Sequence, residues 1–182
     1  MSFEPDRISQ VVLRPVAVDD EERFLELARL STDLHHPWVG LARTPSGFSA
    51  YLSKSDHVNA VCMVLCLKGQ GDLVGMINIK DIVRGPYQKG VLGFAAFLPY
   101  AGQGYMSAGV ALAVHHAFEH LELNRVEADI QPGNGASLRL VQRLGFRREG
   151  FSPGFIKIAG VWRDHERWAI TRDMELPVVF RE

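Results

Sequence analysis

The sequence predicts a mixed α/β sheet flanked by helices, contained in a single domain over residues 1–182. Three observations lead there. Hydrophobic periodicity runs strand, helices, three strand-like stretches joined by short turns, then helix, strand, helix and terminal hairpin. Hydrophobic residues make up 47% of the 182-residue chain, enough to bury a sizeable core in one domain. No internal repeat, low-complexity tract or linker divides it.

Each element has its own warrant. Val11 to Leu13 is a short β-branched run, followed by Pro15 and the acidic cap candidates Asp19 and Asp20. Phe24, Leu25, Leu27, Ala28 and Leu30 then recur at helical spacing. The stretch from Leu34 carries prolines and glycines and reads as a pocket-lining excursion, with one short helix from Pro45 to Ser53 capped by Thr44. Ala60 to Lys68 and Asp72 to Val83 are strands joined by a glycine-containing turn of hairpin length, and Gly90 to Phe97 is a third. Met106 to Leu121, rich in alanine and valine, is apolar on more than one face and predicts a well-buried helix. "RVEADIQ" is a strand, "NGASLRLVQRLGF" a helix stopped by Gly145, and "FIKIAGVWRDHERWAIT" a terminal hairpin.

Lysine plus arginine (20) nearly balances aspartate plus glutamate (21), so no overall field favours nucleic acid or an anionic membrane, and any anion recognition must be local. The opening "MSFEPDRISQ" lacks an apolar signal core and no run approaches the roughly 20 apolar residues of a membrane span. A cytoplasmic protein is expected. Cys62 and Cys66, on one strand, lie about 13 Å apart at about 3.3 Å per residue, too far for a disulfide; they read as reduced core residues. His35 and His36 are adjacent, without the spacing or cysteine partners of a metal site, and no metal is expected. His115 and His116 read as packing or solvent residues of the buried helix.

The stretch "FLPYAGQGYMSAG" raises the chemical question. A glycine-dense turn opening a helix is either a plain connector or a row of bare N–H groups at the positive end of a helix dipole, where a diphosphate fits. Gly102 and Gly104 permit positive φ and close approach of an anion to the backbone. The spacing is not that of the dinucleotide-binding G-x-G-x-x-G.

"GQGYM", followed by "NGASLRLVQRLGF", resembles the core of the GNAT superfamily of acetyl-coenzyme A dependent N-acetyltransferases. "LVGMINIKDIVRGPY", "RLGFRREGF" and "GVWRDH" narrow the resemblance to the RimJ/RimL group, which acetylates the N-terminal α-amine of ribosomal proteins; it spans about Val11 to Thr171. It implies a mostly antiparallel central sheet of about seven strands flanked by helices, with acetyl-coenzyme A as co-substrate. By the same resemblance the turn Ala101, Gly102, Gln103, Gly104, Tyr105 and Met106 holds the coenzyme pyrophosphate through its amides. Ala101 departs from the family's Gln or Arg, which implies modestly weaker binding. Ala96, Phe97 and Leu98 match the splayed segment whose main chain pairs with the pantetheine arm and offers an N–H to the thioester carbonyl. Asn134 matches the family asparagine that bonds the pantetheine, and is also a good N-cap. Ser137 can contact the coenzyme or protonate the leaving thiolate; the tyrosine that many members carry one turn later is missing, Val141 lying in that region. The resemblance also places Trp38, His36, Trp162 and Asp164 on the acceptor side, although "WRDH" equally suits a hairpin turn stabilised by an Arg–Asp pair.

An α-amine has a pKa near 8, so roughly a tenth is uncharged at neutral pH, against under a thousandth of a lysine side chain. An N-terminal acceptor therefore asks little of a general base. Glu127 and Asp129, on one face of their strand, are the candidates; a surface carboxylate pair is the alternative. Arg139, Arg143 and Arg147 read either as a solvated face or as contacts to the coenzyme 3′-phosphate. The expected function is acetyl transfer by direct attack in a ternary complex, the acceptor being a protein N-terminus. The alternatives are a small amine (polyamine, amino acid or antibiotic) or a non-catalytic acyl-coenzyme A sensor. Direct nucleic-acid or membrane binding is not expected, and a homodimer is left open.

Overall fold

In the computed structural model, which describes residues 5–174 and 176, a 3-10 turn (Pro5–Gln10) leads into β1 (Val11–Pro15). The helices α1 (Glu21–Leu30), α2 (Thr32–His35) and α3 (Pro45–Leu52) follow. Next come β2 (Val61–Leu67), β3 (Leu73–Val83), β4 (Lys89–Ala96), α4 (Tyr105–Glu119), β5 (Arg125–Ile130), α5 (Gly135–Arg143), β6 (Arg147–Ile158) and β7 (Val161–Thr171). The strands form one sheet in the order β1-β2-β3-β4-β5-β7-β6. Every neighbouring pair is antiparallel except β4 with β5, which run parallel. The mixed, mostly antiparallel seven-stranded sheet is the one expected.

Alternation along the strands sorts side chains to two faces. On one, α4 and α5 cover Leu65, Ile77, Leu92, Ala128 and Ile170. Helix α4 is a chain of small residues, with Ala108, Val110, Ala111, Ala113 and Val114 all excluded from solvent. Gly109 explains how closely it lies. A Cβ there would come within 2.6 Å of Leu65 Cδ2 and 2.8 Å of Ile77 Cδ1. On the other face the α1 stripe of Phe24, Leu25, Leu27 and Ala28 packs with Phe48, Cys66 and Phe97. The Phe24 ring has Phe48 at 5.3 Å and Phe97 edge-on at 5.5 Å. Cys62 and Cys66 are free and buried here.

Two local expectations are corrected. Asp20 does not cap α1 through its side chain; its carboxylate accepts from the Ala17 N–H at 2.8 Å and from Arg14 at 2.6 and 2.8 Å. The C-terminal hairpin begins at Arg147, not Phe155. The run "RREG" pairs by charge where an apolar alternation would normally mark a strand: Arg147 with Glu149 at 2.9 Å, Arg148 with Glu166 at 2.9 Å, and Arg125 with Glu149. Among the described residues no helix is long and apolar enough to cross a membrane.

Candidate active site

The parallel pair β4 and β5 stays in register only at Lys89 with Arg125, Gly90 with Val126 and Val91 with Glu127. Beyond that seam the strands part, and a gap opens between Leu92–Leu98 on one arm and Ala128–Asn134 on the other. Main-chain polar groups alternate from edge to edge along a strand. The Phe97 N–H donates to Val74 O at 2.8 Å, on the β3 side, so the groups of Ala96 and Leu98 face the gap. Of these, the Leu98 N–H donates to the buried Ser31 Oγ at 2.9 Å, and the Ala96 carbonyl accepts from His35 Nε2 at 2.7 Å. Of the expected trio, then, Phe97 and Leu98 have their N–H groups engaged, and the Ala96 N–H is the one turned to the gap.

The segment after α1 bridges the two arms. Ser31 and His35 hold the β4 side, while the Trp38 carbonyl accepts from Gln131 Nε2 at 3.1 Å on the β5 side. The Trp38 indole covers Gly133, where a Cβ would lie 2.9 Å from Cη2. Burial lowers the pKa of His35, against the hydrogen bond to Ala96.

Parallel strands deliver the helices that follow them to the same end of the gap. The turn Ala101–Gly104 enters α4 with Gly102 at φ 76° and Gly104, the N-cap, at φ 85°. The first-turn N–H groups of Tyr105 and Met106 have no intrahelical acceptor. Gln103 Nε2 donates to Pro99 O at 2.8 Å, which turns its side chain back on the loop. The Met106 side chain packs inward, its sulfur 2.6 Å from where a Gly75 Cβ would stand; Met106 meets the loop through its main chain. Two cations flank the turn. The Arg7 guanidinium lies 4.7 Å over the Tyr105 ring and donates to its hydroxyl at 3.1 Å. Arg143 reaches from α5 to Ser107 Oγ at 3.1 Å. Sequence reasoning missed Arg7, because nothing in "PDRISQ" ties it to a loop nearly a hundred residues away; the clue would have been a cation preceding the first strand.

At the β5 end, Asn134 Oδ1 accepts from the Ser137 N–H at 3.2 Å and caps α5. Ser137 sits half-buried in the first turn. The three regularly spaced arginines diverge: Arg143 joins the turn, Arg139 folds over Gly135, and Arg147 pairs with Glu149.

The two candidate bases both stand in ion pairs. Glu127 lies at the closed end of the gap, buried and clasped by Lys89 at 2.9 Å and Arg125 at 2.8 Å. Burial works to raise its pKa, but hydrogen bonds from Arg125 and Lys89 outweigh it and hold the carboxyl below its ordinary value. Asp129 accepts from Arg167 Nε at 2.5 Å. Both carboxylates serve ion pairs that fasten β5 to its neighbours.

Among the acceptor-side residues, Trp38 stands at the gap and His36 is exposed beside it. Trp162 projects near the β6–β7 turn at 62% exposure. Asp164 Oδ1 accepts from the Gly154 N–H at 2.7 Å and ties the hairpin across its irregular register. The neighbouring histidines carry more of the geometry: His35 replaces His36 at the gap, and His165 is almost wholly buried, with Nδ1 at 2.9 Å from Arg163 O.

Comparison with known proteins identifies the family. Residues 10–147 match the model of the acetyltransferase (GNAT) domain. The chain is 28% identical over 171 residues to the probable N-acetyltransferase YjcK of Bacillus subtilis, covering 88% of this chain and 93% of that protein. It is 29% identical over 131 residues to the [ribosomal protein uS5]-alanine N-acetyltransferase of Escherichia coli, covering 70% and 68% respectively. Among solved structures, Mycobacterium smegmatis RimJ in complex with CoA-disulfide superposes with a TM-score of 0.82 at 26% identity, covering 90% of this chain and 82% of that one. A seven-stranded sheet parted between β4 and β5, a glycine turn opening α4 and a matched domain model across most of the chain place the protein in the GNAT family of acetyltransferases, which use acetyl-coenzyme A.

Proposed function

We propose that the protein acetylates the N-terminal α-amine of a protein substrate. The observation that carries the reading is the gap between β4 and β5, with the Ala96 N–H along one arm and the bare amides of the Gly102–Met106 turn at its mouth. Acetyl-coenzyme A fits these residues. Gly102 and Gly104 leave the turn without side chains against an anion, Arg7 and Arg143 add positive charge beside it, and the gap edge offers the hydrogen-bonding pattern of a missing strand. The coenzyme would supply an acetyl thioester to the end of the gap.

The turn from Ala101 to Met106 holds the diphosphate through backbone N–H groups. Ala96 aligns the pantetheine and presents its N–H toward the thioester carbonyl, fixed in direction because His35 anchors the carbonyl of the same residue. Asn134 orients the start of α5, and the Ser137 hydroxyl there protonates the departing thiolate. Trp38 forms the wall against which the acceptor chain enters. Glu127 and Asp129 keep the sheet together beneath the site. The similarity to the uS5-alanine N-acetyltransferase supports a peptide acceptor, as does an α-amine's low demand for a base.

The test is thiol release from acetyl-coenzyme A in the presence of peptides differing at residue one, with spermidine and free amino acids in parallel. Turnover concentrated on Ala- or Ser-starting peptides supports the reading. Turnover confined to small amines replaces it with a metabolite acetyltransferase, and tight coenzyme binding without turnover replaces it with a sensor.

A further inference from the structure

We propose that His165 is the catalytic residue that takes the proton from the attacking amine; this rests on the acetyl-transfer reading above. The ladder between β5 and β7 ends with Ile130 beside Glu166, and one step further sets Gln131 beside His165. Gln131 is the residue that joins the β5 arm to Trp38, so His165 stands at the open end of the gap, not at its seam. Its side chain shares a sheet face with Asp129, Arg167 and Arg163, opposite to the face that Trp168 and Ile170 present to α4 and α5.

The tautomer follows from the hydrogen bond. Nδ1 lies 2.9 Å from Arg163 O, and a carbonyl can only accept, so Nδ1 carries the hydrogen and Nε2 of the neutral ring carries the lone pair. The imidazole is 3% exposed. Among the described residues no buried side-chain nitrogen or oxygen lacks a partner, and none of the hydrogen bonds among them ends on Nε2. That nitrogen therefore keeps some access to solvent. Phe155 packs edge-on at 6.2 Å and its own ring is covered by Arg167 at 4.3 Å, which fixes the imidazole plane.

Glu127, Asp129 and His35, the buried or ion-paired titratable groups near the gap, are committed elsewhere. Glu127 is clasped by Lys89 and Arg125, and Asp129 by Arg167. His35 spends Nε2 on Ala96, and the burial that lowers its pKa weakens it as a proton acceptor. The groups facing His165 are Arg163 and Arg167 from β7, Asp129 and Gln131 from β5, and Ser152 and Phe155 from β6. Asp129 is neutralised by Arg167, which leaves no free carboxylate against the ring.

In the step itself the amine nitrogen bonds to the acetyl carbon as the carbon–sulfur bond breaks. The sulfur leaves with the electron pair and takes a proton, while the surplus proton on nitrogen passes to His165 Nε2 and then to solvent.

His165→Asn keeps a donor for Arg163 O and removes Nε2; His165→Gln is the companion variant. With coenzyme A affinity by calorimetry unchanged, each should lower kcat/KM for an Ala-starting peptide at pH 7 by about 10²-fold or more. The deficit should shrink toward pH 9, where the α-amine, of pKa about 8, sheds its own proton. On the unaltered protein, 15N NMR should show the neutral ring as the Nδ1–H tautomer with its Nε2 resonance shifted by peptide addition, a readout that stands even if the variants fold poorly. Unchanged kcat/KM and pH profile in folded His165→Asn, or a protonated Nε2 indifferent to peptide, overturns the assignment while leaving acetyl transfer intact. No turnover by the unaltered protein on any amine overturns both.

Discussion

His35 donates Nε2–H to the carbonyl oxygen of Ala96 across 2.7 Å, and so ties the loop after α1 to the strand edge that faces the gap. Replacing it with leucine leaves that carbonyl without its donor, a loss of about 1–3 kcal/mol for a buried group. His35→Leu should lower both the melting temperature and coenzyme A affinity, whereas His36→Leu, on the exposed neighbour, should change neither; thermal melts with and without coenzyme A check both.

The same burial makes stability depend on pH. Burial lowers the pKa of His35, and burial with the charges of His120, His115 and His57 lowers that of His116. A histidine depressed in the folded state binds fewer protons there than when unfolded, so stability rises with pH through that window. The contribution is fully present above the ordinary histidine pKa of about 6.5 and is lost as pH falls from there toward the folded values. Melting temperature should drop between pH 7 and pH 5.5, and the slope should flatten in the His35→Gln, His116→Gln double variant.

Glu127→Gln separates structure from catalysis. It strips three cations, Lys89, Arg125 and the more distant Arg167, of a shared carboxylate in a buried setting, and breaking such a network costs about 3–5 kcal/mol when fully buried, less here because the cations keep partial access to water. The expected outcome is a lower denaturation midpoint with an unaltered shape of the pH–rate profile, the reverse of the pattern for His165→Asn.

Gly104→Ala places a side chain at φ 85° at the entry to α4, at roughly 1–2 kcal/mol for a left-handed residue with a Cβ. The added methyl would also point toward Arg7, whose Cγ lies 3.8 Å away. Coenzyme A affinity by calorimetry should fall by more than the stability loss alone accounts for, since the turn must keep its amides aligned.

Ser137→Ala should reduce kcat and spare coenzyme affinity. The effect should stay near or below the roughly 10²-fold minimum of general-acid catalysis, because a thiol of pKa about 8.5 leaves as its anion at modest cost. Asn134→Ala should instead destabilise the protein by about 1 kcal/mol through the lost cap, with Asn134→Ser restoring most of it; denaturant midpoints of the pair check the assignment.

The elements that sequence made legible are those whose signals are local. Periodicity and turn chemistry placed β1 to β5, β7, α4 and α5 within a residue or two, and Thr44 caps α3 as its spacing predicts. The start of β6 was hidden because Arg147, Arg148 and Glu149 are held by ion pairs, Arg148 and Glu149 to other strands, and charge pairing carries no period-two apolar trace. At the site, the glycine turn and Asn134 could be read from spacing and resemblance. Which of two adjacent histidines turns inward could not, for that depends on how α2 meets Ala96, sixty-one residues on. Nor could the fate of Glu127: period two sets its face of the strand, while its clasp by Lys89 is decided by the register of two strands distant in sequence.

The short seam between β4 and β5 has a mechanical meaning. With only Val91 and Glu127 closing the last of its pairs, the sheet is in effect two leaves, four strands and three, hinged along a line and laced on one side by Ser31, His35 and Trp38. A chain-like molecule slid between the leaves supplies the ladder that neither can offer the other. On the proposed reading it would act as a spline in a joint as well as a reactant, and the stiffness of the whole sheet should rise on loading and relax on discharge.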